Sequence, residues 1–83
     1  MAEKEIGVVS DFFAKINVAA IKMTGNLEVG NKIHIKGHTT DFTQKVDSMQ
    51  VHNQPVEKAK KGDEIGIKVK DRVRRNDKVY LAD

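Results

Sequence analysis

The 83-residue chain contains no cysteine and no tryptophan. Without thiols it has no disulfide scaffold, no thiolate metal site and no cysteine nucleophile. Aromatic residues make up 5% of the chain, too few for a large aromatic ligand cage. The single proline, Pro55, falls in the polar stretch His52–Pro55, outside any expected strand interior. No apolar run approaches the ~18 residues of a membrane-spanning helix, and Met1–Glu5 opens with charge rather than with a signal-peptide pattern. These absences predict a cytoplasmic protein with no membrane partner. What is present is globular: 39% hydrophobic residues, rising to about 46% with the 6 glycines, inside the usual ~45–50%. A chain of this length forms one small domain, expected over residues 5–82 with residues 1–4 as a short tail.

Charge is unevenly spread. Residues 1–57 hold 6 Lys and Arg against 7 Asp and Glu, whereas residues 58–78 hold 9 against 4. Positive potential concentrated in one third of a chain suits a polyanionic partner.

Apolar residues recur with a period of two. Ile65, Ile67 and Val69 alternate with Gly66, Lys68 and Lys70. Ile33 and Ile35 alternate with lysines and His34, and Val79 and Leu81 close the chain the same way. Ile16, Val18 and Ala20 form a further run whose register passes to Ile21 and Met23. Turn residues separate the runs at Thr24-Gly25-Asn26, Val29-Gly30-Asn31, Lys61-Gly62-Asp63 and Arg75-Asn76-Asp77. Gly25 or Asn26 is an expected positive-φ position. Within residues 42–51 the inward set is Phe42, Gln44, Val46, Met49 and Val51. The step of three after Val46 predicts a β-bulge near Asp47-Ser48. Short strands with turns every 8–12 residues predict an all-β fold, a small closed antiparallel Greek-key barrel of about six strands.

The turn spacing carries two resemblances. Gly25 to Gly37, reading GNLEVGNKIHIKG, resembles the signature of the second β-barrel domain of translational GTPases of the elongation factor Tu type. Val46-Asp47-Ser48-Met49, Ala59 to Gly66 and Arg74 to Leu81 resemble later strands and turns of the same barrel, in order, with Asn76 standing where that barrel usually has glycine, which implies a left-handed conformation there. The spacing Gly7-Val8-Val9, Ala20-Ile21, Val29-Gly30 is also similar to the small C-terminal barrel of the collagenase-like peptidase family, associated with tRNA hydroxylation. Residues 42–46 and 77–81 look like that barrel too. Both resemblances imply a translation-protein-type barrel that works beside RNA. The nearest string to a P-loop, Gly25-x-x-x-x-Gly30-Asn31-Lys32, places its lysine one residue late with no Ser or Thr after it, so no GTP is expected.

Other chemistry is thin. His34, His38 and His52 lack metal-ligand spacing, and only Asp41 is an acid close to them. Ser10 and Ser48 have no glycine elbow, and Asp63 and Glu64 read as turn residues. No catalytic residue, metal or cofactor is therefore assigned, and the chain is expected not to be an enzyme. With Ile65, Ile67 and Val69 inward, Lys68, Lys70, Arg72 and Arg74 fall on the outward set. Lys60, Lys61 and Arg75 lie on flanking turns. These seven residues are the expected contacts for tRNA, ribosomal RNA or a ribonucleoprotein. The alternative is an accessory subunit docking on a larger protein partner through an apolar patch of Phe12, Phe13 and Met23, since adjacent Phe12 and Phe13 cannot both face one core.

Overall fold

The computed structural model describes residues 4–82, so of the expected tail only Lys4 is described. Lys4 opens the first of ten strands: β1 (Lys4–Phe13), β2 (Val18–Met23), β3 (Leu27–Glu28), β4 (Lys32–Lys36), β5 (Asp41–Lys45), β6 (Met49–Val51), β7 (Gln54–Val56), β8 (Lys58–Ala59), β9 (Glu64–Lys68) and β10 (Lys78–Leu81). The described residues contain no helix. Eight strands form one antiparallel sheet in the order β5-β4-β10-β1-β2-β9-β6-β7, and β3 pairs with β8 in a separate ribbon.

Alternation sets the inner face. Ile33 and Ile35 of β4, Val79 of β10, Ile21 and Met23 of β2, and Ile65 and Ile67 of β9 are all buried. Most are β-branched, the type that packs best on a pleated half-buried surface. In β2 the inward residues are Ala19, Ile21 and Met23, so Val18 and Ala20 point outward and Ile16 lies exposed beyond the strand. β1 departs from strict alternation because it serves two neighbours. Its register shifts between Glu5 and Gly7 against β10 and between Val9 and Asp11 against β2, so Ile6, Val9 and Phe12 all turn toward the core. Such bulges raise local twist and let a long strand coil around the core.

The sheet is a half-barrel, not the closed six-strand barrel expected. The difference arises at residues 42–51, which form two strands rather than one bulged strand. β5 pairs with β4, residues 46–48 cross the seam, and β6 pairs with β9 and β7. The parity step after Val46 is therefore a change of strand partner, and both Val46 and Met49 remain buried. Pro55 lies inside β7, which is tolerated because β7 is an edge. The β6–β7 hairpin turns on His52 and Asn53, both with positive φ, which gives the primed turn that matches strand twist. Asn76 takes φ 72° as expected, whereas Gly25 and Asn26 stay out of the left-handed region. Gly25 instead sits over Ile6, whose carbonyl accepts from the N–H groups of Thr24 and Gly25.

Asp77 is the buried acid that anchors the last turn. Its Oδ2 accepts from the Arg74 N–H at 2.9 Å, and its backbone carbonyl accepts from Val9 N–H at 2.8 Å. The carboxylate fits only because Gly37 has no side chain; a Cβ there would overlap Asp77 Oδ1. Gly37→Ala is expected to displace this carboxylate and lower stability by about 1–3 kcal/mol, the cost of a buried polar group losing its partner. Urea unfolding followed by circular dichroism measures it.

Candidate interaction surfaces

The seven cations expected on one surface are divided by the fold. Lys60 and Lys61 sit in the turn before β9, where Lys60 N–H donates to Asp63 Oδ2 and Gly62 N–H donates to the Met23 carbonyl. Arg72, Arg74 and Arg75 lie past the other end of β9, roughly 17 Å away at ~3.4 Å per residue. Lys68, Lys70, Arg72 and Arg74 stay together: all four are exposed, while Val69 and Val73 between them are buried. Among the described residues none of these four makes an ion pair. Arg75 approaches Asp11 at 3.8 Å and Lys58 approaches Glu28 at 3.9 Å. Asp71, also exposed, lies inside the row between Lys70 and Arg72, and Asp77 Oδ2 accepts from the Arg74 N–H, so these acids offset part of its charge. Glu64 lies at the other end of β9, where it accepts from the Ser10 hydroxyl.

This cationic row forms one wall of the barrel seam, and β5 forms the other. Gln44 spans the gap with its side-chain amide. Its Nε2 donates to the Lys68 carbonyl at 2.9 Å, and its Oε1 accepts from the Lys70 N–H at 2.9 Å. An amide bonding the carbonyl and N–H that flank Val69 reproduces what a paired backbone would offer. Beside it is a groove of about 450 Å³ lined by Gln44, Lys45, Asp47, Ser48 and residues 68–70. A second of about 260 Å³ lies farther along, between Thr39–Phe42 and the segment carrying Asp71, Arg72 and Arg74. A polar residue at an inward position, Gln44, was the sequence signal for this seam.

The apolar patch is also rearranged. Met23 is 1% exposed and belongs to the core, so it is not a surface contact. Phe12 packs against the core, whereas Phe13 is 49% and Ile16 61% exposed. These two border a shallow trough of about 350 Å³ on the outer sheet face. Its floor is low because Ala20 pairs with Gly66, and Gly66 pairs on its other side with Gln50. Sequence reasoning grouped Ile16, Val18 and Ala20 as an alternating apolar run and did not assign them to this surface.

Ser10 Oγ lies 3.2 Å from both the Ala20 carbonyl and Glu64 Oε2. The string from Gly25 to Lys32 runs through β3 and two turns into β4, with no helix N-terminus to hold a phosphate. No group of three or more His, Asp or Glu among the described residues is placed to hold a metal ion. No described helix is long and apolar enough to cross a membrane. His34 Nε2 bonds Asp41 Oδ1, and the tilted Tyr80 ring lies 6.3 Å from the imidazole. The hydrogen bond from His34 holds the Asp41 carboxyl below its ordinary value, against a smaller opposing effect of burial and with added attraction from His34 and Lys36.

No family model matches the chain. It is 44% identical over 78 residues, 93% of its length, to an uncharacterized protease of Methanocaldococcus jannaschii. It is 42% identical over 74 residues to a collagenase of Porphyromonas gingivalis. The match occupies only 19% and 20% of those proteins, so the chain spans about one fifth of the length of these relatives. Among solved structures, the C-terminal domain of a Geobacillus thermoleovorans protein assigned to the U32 peptidases superposes with a TM-score of 0.91 at 14% identity, covering 96% of this chain and 93% of that one. Its selenomethionine form gives 0.89 at 15% identity. These findings support the resemblance to the collagenase-like peptidase barrel. They do not confirm the elongation-factor resemblance.

A depressed carboxyl pKa means that the His34–Asp41 pair adds stability above the ordinary Asp value of 3.8, which is lost as pH falls through the lowered folded value. In His34→Gln the Asp41 carboxyl is expected to titrate higher, nearer 3.8, in a carbon-detected NMR titration. An unmoved midpoint would remove His34 as the cause.

Proposed function

We infer that this chain is a non-catalytic accessory unit that docks on a larger polypeptide of peptidase type. The observation that carries this reading is the size of the matches: nearly all of this chain corresponds to about a fifth of proteins named as proteases. The fold also recurs as a C-terminal domain in a solved U32 peptidase structure. The trough edged by Phe13 and Ile16 supplies a docking surface, since large exposed apolar side chains over a flat floor lose solvent contact only against a partner.

A second reading, contact with RNA, is supported by the four neighbouring cations at Lys68, Lys70, Arg72 and Arg74, whose alternate spacing suits successive phosphates. No aromatic residue stands in that row to stack a base, so such contact would follow charge and shape.

The test mixes this chain with a U32-type peptidase lacking its corresponding C-terminal segment and follows complex formation by gel filtration with light scattering. A one-to-one complex is expected. Phe13→Asp with Ile16→Asp should weaken it about a hundredfold, because two buried apolar side chains contribute roughly 3 kcal/mol. The chain alone should leave gelatin uncleaved. Cleavage by the chain alone, or full affinity in the double variant, would reject the reading.

A further inference from the structure

The half-barrel leaves two sheet edges, β5 and β7, and they are not equivalent. β7 has three residues with Pro55 at its centre, so its edge lacks a donor. β5 has five residues. The phase of its hairpin with β4 is set by Val46 N–H donating to the Asn31 carbonyl and Gly37 N–H donating to the Thr40 carbonyl. In that phase Ile33/Gln44 and Ile35/Phe42 are the hydrogen-bonded pairs. The backbone N–H and C=O groups of Asp41, Thr43 and Lys45 consequently point away from β4, into the seam.

The Gln44 amide bridges the seam, and the surrounding charge is mainly positive. Lys45, Lys68 and Lys70 border the larger groove, and Arg72 and Arg74 the smaller one. Asp47 and Asp71 border them as well, and Asp41 is already engaged by His34. The facing cations are exposed at alternate positions of the chain, which leaves the strand after Lys68 and bends at residues 70–71, with Asp71 exposed among them. A free backbone edge beside such cations selects a peptide: nucleic acid brings charge but has no amide ladder to pair with β5.

We propose that the seam binds an extended acidic peptide segment by strand addition to β5, taking the place of the Gln44 amide while its alternate carboxylates meet Lys68, Lys70, Arg72 and Arg74. Gln44 then acts as a latch, satisfying the Lys68 carbonyl and Lys70 N–H when no peptide is bound. The site uses residues other than the Phe13–Ile16 trough, so it stands or falls separately from docking there. It also claims for a peptide the cations that an RNA would use.

The test is a fluorescence-anisotropy titration of the chain with a labelled eight-residue peptide of alternating valine and glutamate, paired with amide hydrogen exchange by NMR. Expected are salt-sensitive binding and at least about tenfold slower exchange of the Thr43 and Lys45 amides in the complex. Lys68→Glu with Lys70→Glu, both exposed positions, should weaken binding at least about tenfold, and Gln44→Ala should tighten it. A peptide with proline replacing valine should not bind. Absence of binding at low salt, or binding without protection of Thr43 and Lys45, would overturn the proposal. So would an equally tight proline peptide, or displacement of the peptide by oligouridylate at lower concentration.

Discussion

The side-chain amide of Gln44 stands where this sheet's backbone pairing stops. Eight strands wrap the core, yet β5 never pairs with the segment that follows β9. One side chain bridges them, offering a donor to the Lys68 carbonyl and an acceptor to the Lys70 N–H. Those groups are thereby satisfied without a ninth rung of the ladder, as backbone polar groups require wherever water is partly excluded. Besides the chain crossing at residues 46–48, two hydrogen bonds bridge the seam, while the rest of the sheet is held by ladders. The unpaired edge of β5 and the groove beside it follow from that local substitution of a side chain for a strand.

Curvature itself originates in β1. It is the longest strand and lies between β10 and β2. Two register shifts turn Ile6, Val9 and Phe12 inward along one coiling strand, and the last of them leaves Phe13 outside. The same bulge that brings Phe12 to the core therefore creates the exposed rim of the trough. At the far end of the sheet, Asp77 packs into the space left by Gly37 and ties the turn after Arg74 to the β4–β5 hairpin. That contact positions Arg72 and Arg74 beside Thr39–Phe42. The apolar trough lies on β2 and β9, and the cationic row starts at the end of β9, so one small sheet presents two chemically distinct surfaces on different residues.

The unit matches about a fifth of larger proteins named as proteases, and it carries an apolar trough and a charged seam on different residues. An apolar trough gives area for stable docking, whereas a charged seam gives a reversible, salt-sensitive contact.

The residue order by itself determined an all-β chain, the alternation that buries Ile33, Ile35, Ile65 and Ile67, the turn at Asn76, and the outward row from Lys68 to Arg74. Each depends on near neighbours in sequence, on period and on turn chemistry, which are local properties. Tertiary structure alone decided that residues 42–51 split across a seam, that Ala19 rather than Val18 faces inward, that Met23 joins the core, and that Lys60 and Lys61 lie far from the arginines. Those outcomes turn on which strands pair and where a ladder slips, and a slip of one residue exchanges the two faces of a strand. No local pattern records a choice made by a partner strand forty residues away in the chain, as β2 and β9 make it here.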